Sequence, residues 1–356
     1  MSSLPYLHFT ESVTKIGEVF TFFINSFLIY LTVFHIRNIK GGYKILVLAL
    51  ANLEIVFSFL EFLSQPFLHS YNASIAYFTI HPVFGASKAL KFYLLWFYSG
   101  CYCGTICLIA IQFFYRFCLI TGDNFKLIKV VEKCWPGYSI LCTGLWMMSY
   151  YQCTPDKGSR DYLRKAMLQE YGEDVEDVVG FLLVVFDKDG SLRIKTLITI
   201  TGMSLVLGFQ YLVIIISGYK IHQSLKKVGL KMSLKATKMQ RQLFKTLIFQ
   251  ILNPFFFHHT TAFVLMVLIF LDLKVSIPSG IVICFYSIFP PVDSLVMMYL
   301  VTEYRTVMNS ESGGKEAELM KGGSEKFEVY LMRLLQWSRR FKEQMEEKDT
   351  RSAEPT

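Results

Sequence analysis

The sequence predicts an all-α membrane protein, a bundle of seven transmembrane helices with the amino terminus outside and the carboxyl terminus inside. Three observations carry this. Of the 356 residues, 53% are hydrophobic and 16% aromatic, but only 18% are charged, whereas an ordinary soluble domain carries about 25% charged residues. Seven stretches supply the ~20 mostly apolar residues that a helix needs to cross ~30 Å of hydrocarbon. The connecting segments alternate between Lys/Arg-rich and Lys/Arg-poor. The mean hydropathy of +0.39 and the long Phe- and Tyr-rich runs turn the net charge of +8 toward a lipid surface. No nucleic-acid partner is expected.

The spans are expected at about 16–35, 45–67, 92–117, 136–153, 196–219, 247–271 and 277–301, each helical because hydrocarbon offers no partner to a free backbone group. The fourth is the weakest, being short and rich in Tyr, Cys and Met. A further apolar run, Val178 to Phe186, is too short to cross. Between spans so bounded, the odd-numbered loops hold 14 Lys and Arg and the even-numbered loops 10, so the odd loops are expected in the cytoplasm. The long fourth loop, 154–193, also holds nine acids, and Tyr162 to Asp177 within it is patterned as a helix. Asn72-Ala73-Ser74 is a glycosylation sequon in a loop expected outside. Its occurrence by chance is equally compatible with the sequence. The eight cysteines show no disulfide framework or zinc spacing, and neither a metal nor a cofactor is expected.

Ionisable groups inside a bilayer cost on the order of 2.5–3.5 kcal/mol each and usually face the bundle interior. Glu54 and Asp293 lie at similar depths from the same side, and Asn52 and Asn253 share that layer approximately. These residues form a candidate polar core, serving either as interhelical glue or as a switch. Glu61 lies two turns outward on the face of Glu54. Pro254 and Pro290–Pro291 stand inside spans and are expected to kink them. His258 and His259, just beyond Pro254, are expected as polar lining or interhelical donors. No GxSxG motif or opposed pair of aspartates suggests an enzyme, and the spans show no internal symmetry of the kind a transporter carries.

Several stretches carry a family likeness. They are Gln112-Phe113-Phe114-Tyr115-Arg116-Phe117 at the end of the third span, and Asp161-Tyr162-Leu163-Arg164, Tyr171-Gly172 and Asp189-Gly190 in the long loop. Met239-Gln240-Arg241-Gln242-Leu243-Phe244-Lys245 leads into the sixth span and on to Asn253-Pro254. Phe289-Pro290-Pro291-Val292-Asp293 and Glu303-Tyr304-Arg305 close the seventh. Together, and in this order, they resemble the nematode serpentine chemoreceptors of the Str class over roughly Phe9 to Met308. Two features depart from that family: Ser294 follows Asp293 where proline is usual, and the tail after Met308 is longer.

The resemblance implies a chemosensory, olfactory-type G-protein-coupled receptor in the plasma membrane, in the sensory cilium of chemosensory neurons. Its partners would be a small-molecule odorant or other chemical cue, a heterotrimeric G protein and the lipid bilayer. A seven-helix ligand-gated channel or transporter is the alternative. Ligand contacts are expected among Tyr93, Trp96, Phe97, Glu61, His258 and Phe263, because aromatic residues crowd the outer halves of the third and sixth spans. For Arg116 the resemblance implies contact with the G protein, although the acid that usually precedes such an arginine is here Tyr115. Lys226, Lys227, Lys238, Arg241 and Lys245 belong to a basic third inner loop that suits anionic lipid and, by resemblance, a G-protein subunit. In the tail, 309–324 reads as a flexible linker and 325–348 as an amphipathic cytoplasmic helix.

Overall fold

The computed structural model describes residues 4–37, 39, 41–79, 86–121, 125–227, 234–273 and 275–311. Residues 309–311 of the expected linker belong to a helix, and the rest of it (312–324) and all of the expected tail helix (325–348) lie outside the described residues. Seven helical runs form the bundle. The first is α1 (Leu4–Tyr30), continued by a π-helical turn over Leu31–His35, followed by α2 (Gly42–Ser64), α3 (Lys88–Thr121) and α4 (Phe125–Tyr151). The fifth run is α6 (Ile194–Lys227), and the sixth is α7 (Leu234–Pro254), a π-turn (Phe255–His259) and α8 (Thr260–Phe270). The seventh is α9 (Ile281–Leu300). Between the fourth and fifth runs lies a shorter helix, α5 (Lys157–Tyr171). A separate unit beginning at Thr302 contains α10 (Thr302–Glu311).

Five of the seven runs, α1, α2, α3, α6 and α9, are individually long and apolar enough to cross a bilayer. The others owe their places to the packing of the bundle. α4 lies against α3 and α6, and α7 lies against α9.

Several boundaries differ from the expected ones for local reasons. α1 begins at Leu4 rather than near residue 16. Thr10 and Ser12 return their hydroxyls to the carbonyls of Tyr6 and His8, four residues back, so these polar side chains find partners within the helix. α2 ends at Ser64 because Gln65 takes a left-handed conformation (φ 41°) and Pro66 disfavours helix in the residue before it. α4 starts at Phe125 and carries Pro136 inside it, where the sequence places Pro136 at its start. α9 starts at Ile281, because Ile277 is drawn into a strand.

The connecting segments build a feature that hydropathy does not announce. β1 (Phe67–Tyr71), β2 (Ser74–Thr79), β3 (Val179–Val184) and β4 (Ser276–Pro278) form one antiparallel sheet in the order β3-β2-β1-β4. The apolar run 178–186, too short to cross, is essentially β3. Asn72 sits at the β1–β2 turn with φ 47°, a conformation asparagine tolerates well, so the turn itself gives a reason for asparagine there.

The sheet obeys the two-residue alternation of strands. Ile75, Tyr77, Phe181 and Leu183 point into the main apolar core between the helices. Ala76, Phe78 and Leu182 point the other way and pack with Leu163, Met167 and Tyr171 of α5. The sheet is thus the middle layer of a roof, with α5 above it and the bundle below. α5 is held by an Asp156–Ser159 capping box at its start and by Gly172 (φ 74°) at its end.

Candidate ligand cavity and polar core

Beneath the roof lies a cavity of about 290 Å³, near the lower end of the ~300–1,000 Å³ typical of small-molecule sites. Tyr98 and Tyr102 of α3, Trp146 and Tyr150 of α4, and Tyr286 of α9 line it, with Tyr77 and Phe181 of the sheet above. Thr199, Met203 and Leu207 of α6 and His259, Phe263 and Met266 of the sixth run complete the wall. Tyr98/Tyr102 and Trp146/Tyr150 are each four residues apart, which puts both members of a pair on one helix face. Tyr102 packs against Trp146 (6.0 Å between ring centroids) and Tyr286 (5.1 Å). The walls hold aromatic rings and no Lys, Arg, Asp or Glu.

The residues expected to touch a ligand are distributed unevenly around this cavity. Phe263 lines it, whereas Tyr93 and Phe97 are half-exposed on the other side of α3 and do not. Trp96 donates its indole N–H to the Met147 carbonyl (2.8 Å), pinning α3 to α4. His258 is buried edge-on against Tyr286 (centroids 4.3 Å apart), and its neighbour His259 is the histidine of the wall. Glu61 lies deeper, accepting the hydroxyl of Ser287.

His259 occupies the π-turn, and its hydrogen bonds fix its role. Its Nδ1 is 2.9 Å from the Pro254 carbonyl, which can only accept, so Nδ1 carries the proton. Nε2 is then the acceptor for the Tyr102 hydroxyl at 3.0 Å. The Tyr211 hydroxyl of α6 also lies 3.1 Å from Nδ1. One ring therefore ties the third and fifth runs to the break in the sixth.

Further from the roof, Glu54, Gln112, Gln250, Asp293 and Ser294 share a second cavity of about 10 Å³, room for about one water. Gln250 donates to Asp293 (2.8 Å). Ser294 donates to Asn25 of α1. The cluster therefore draws on the first, second, third, sixth and seventh runs. Asn52 is not part of it. It is exposed and donates to the Leu48 carbonyl of its own helix at 2.7 Å. Asn253 and Pro254 follow Gln250 by about one turn and do not line this cavity.

At the end away from the roof, Arg116 is almost fully buried. It donates to the Gln240 side-chain carbonyl (2.7 Å) and lies over the Tyr43 ring (4.6 Å). The preceding Tyr115 donates to Glu132 of α4 (2.8 Å). Lys226, Lys238 and Arg241 are exposed on α6 and α7, and Lys245 is half-buried. The side chain of Lys227 lies outside the described residues.

Outside the spans, two groups in the roof are displaced from their ordinary protonation ranges. Burial pushes the imidazole of His69 down to about 4, partly opposed by Glu170. Its ring nitrogens meet the Tyr171 hydroxyl (2.8 Å) and the Ser276 hydroxyl (3.1 Å). Burial acts to raise the carboxyl of Asp156. Hydrogen bonds from Arg193, the Ser159 amide and Lys195 outweigh it and hold the group well below the usual carboxylate range.

Tyr102, Trp146, Tyr150, Tyr286 and Gln250 are not singled out by the sequence, and Gln240 is marked only by its place in the stretch leading into the sixth span. The four-residue spacing of the aromatics was the available signal. Among the described residues all eight cysteines are free, and no group of three or more His, Cys, Asp or Glu is placed to hold a metal.

A seven-run bundle with an aromatic cavity at one end has the fold of rhodopsin. Squid rhodopsin matches it with a TM-score of 0.53 at 12% identity, covering 90% of this chain and 91% of that one. The family profile described as serpentine type 7TM GPCR chemoreceptor Str matches residues 10–309. The G-protein coupled receptor str-33 of Caenorhabditis elegans is 34% identical over 80% of this chain and 85% of its own length. The serpentine receptor class r-10 of the same organism is 22% identical over 89% and 95%. The chain belongs to the Str family of serpentine seven-transmembrane chemoreceptors. It is thus a membrane-embedded member of a receptor family rather than of an enzyme family.

Proposed function

We propose that the protein is a chemosensory G-protein-coupled receptor of the plasma membrane, binding a small molecule in the aromatic cavity and activating a heterotrimeric G protein at the opposite end. The observation that carries this is the cavity of aromatic rings under the sheet, in a chain of a chemoreceptor family. In this reading the sheet end faces outward, as the loop charges favour, and Asn72 is available there for glycosylation. Arg116 and the basic segments of α6 and α7 face the cytoplasm, where Lys226, Lys227, Lys238, Arg241 and Lys245 meet the G protein and anionic lipid. Glu54 and Asp293 form the core that rearranges between states. A sensory cilium of a chemosensory neuron is the site of action that fits the family.

The test is expression with a promiscuous G protein and a screen of volatile and water-soluble odorants. A second-messenger response that disappears when G-protein signalling is blocked is expected. A direct ligand-gated current that survives the block would replace this reading with the channel alternative.

A further inference from the structure

The cavity is closed toward the roof and open at its side. Tyr77 and Phe181 stack under the sheet (6.2 Å, 16°), and Phe181 also meets Tyr150 (5.2 Å) and Phe92 (5.0 Å). The other face of the sheet is covered by α5. No comparable seal closes the wall between the fifth and sixth runs. α6 packs on α3 and α4 and meets α7, but it scarcely approaches α8. Ser204 of α6 and Phe263 of α8 flank this gap. Both line the cavity, yet both are exposed on the outside of the bundle, Phe263 to 68%. Their exposed neighbours Leu205, Phe209 and Val264 are apolar, so the gap opens on hydrocarbon rather than water.

The interior restricts what can come through. The Tyr102 hydroxyl is committed to His259. Tyr150 and Tyr286 line the cavity and are only half-buried, and their hydroxyls make no hydrogen bond among the described residues. A phenol can both donate and accept, so either could serve one polar group of a ligand. No charged side chain lines the wall, so a charged ligand would be desolvated without compensation.

We infer that the ligand is a neutral, membrane-partitioning molecule with one hydrogen-bonding group, and that it reaches the cavity sideways from the bilayer between the fifth and sixth spans. This rests on the reading of the cavity as the ligand site.

Cys153 lines the cavity and supplies a native reporter, while Cys134 is exposed on α4. The full chain in lipid nanodiscs is treated either with neutral methyl methanethiosulfonate or with a methanethiosulfonate bearing a fixed trimethylammonium charge. Modification of each cysteine is then followed by peptide mass spectrometry. Both reagents are expected to reach Cys134. At Cys153 the charged reagent is expected to be about tenfold or more slower than the neutral one, because it would enter an apolar site unpaired.

Ser204→Trp, which fills the gap, should slow neutral labelling of Cys153 several-fold and leave Cys134 unchanged. Dissolved 1-octanol should protect Cys153, whereas octylammonium and octanoate should not. Equal rates for the two reagents at Cys153, no labelling there by either, no effect of Ser204→Trp, or equal protection by the charged amphiphiles would each overturn the inference. Labelling requires no signalling, so this outcome is separable from the G-protein assay. An odorant response with no lateral access would sink only the route, and lateral access with no response to any odorant would sink only the receptor reading.

Discussion

Arg116 is held by a neutral amide and an aromatic ring rather than by an acid. Its guanidinium meets the Gln240 side-chain oxygen and the Tyr43 ring, while Nε and Nη1 find no partner. A hydrogen bond from a charged group contributes about 1.5–3 kcal/mol, and here it spans the third and sixth runs. Gln240→Ala is therefore expected to loosen this end and raise ligand-independent signalling by about tenfold, at ~1.4 kcal/mol per tenfold. A basal second-messenger assay normalised to surface expression checks this, and an unchanged basal level would show that the contact does not restrain the bundle.

His69 supplies a second test at the same scale. Its folded value of about 4 lies below the ordinary 6.5, so the unfolded chain binds the extra proton between those values. Roof stability should be level above pH 6.5 and fall as pH drops through the window, by about 3 kcal/mol at pH 4. Hydrogen exchange at the β1 amides would show this slope, and His69→Leu should remove it.

Among the elements, the roof is the most tightly specified. A Cβ added at Gly180 would lie 2.2 Å from the Tyr77 carbonyl and 2.6 Å from the Phe78 Cα. These are backbone atoms of the paired strand, and they cannot step aside. Gly180→Ala should disrupt the β2–β3 pairing at a cost of about 1–3 kcal/mol or more, seen as faster exchange across 74–79 and weaker ligand response. Asp156 anchors the next layer through the α5 cap and its pairs with Arg193 (2.8 Å) and Lys195 (3.1 Å). Asp156→Ala should cost about 1 kcal/mol from the cap alone, with the loss concentrated in the exchange of 157–171. The π-turn over Phe255–His259 is an element of another kind. It places His259 where Tyr102 and Tyr211 can both reach it, so a contact on the cavity wall bears directly on the break in the sixth run.

Across the whole molecule, the sequence made the bundle legible and left the roof hidden. Spans are legible because a bilayer imposes length and apolarity on a continuous segment, and Ile45 to Phe67 or Phe92 to Phe117 could hardly be anything else. The roof strands pair across long separations. His69 faces Pro278 and Ser74 faces Val184, and no local pattern records such partners. The aromatic wall was half legible. Crowding drew attention to the third span, but the rotation of α3 turns Tyr98 and Tyr102 inward and leaves Tyr93 and Phe97 outside. That rotation is a property of packing against α2, α4 and α6, not of α3 alone. The depth of Glu54 and Asp293 could be estimated by counting residues, whereas Gln250 and Gln112 between them could not. At this scale the orientation itself is open to test. Asn72 is expected to be reachable from the extracellular side of intact cells, and an epitope at the turn accessible only after permeabilisation would reverse the bundle.

The strands also set an order of events during synthesis. β1 and β2 emerge early, β3 arrives only after the fourth run, and β4 directly precedes the seventh. β1 therefore waits for a partner more than 200 residues further along the chain (His69 to Pro278), its exposed edge a hazard until then. The sheet can therefore be complete only after the last loop has been made, so its final edge is among the latest contacts available to the chain.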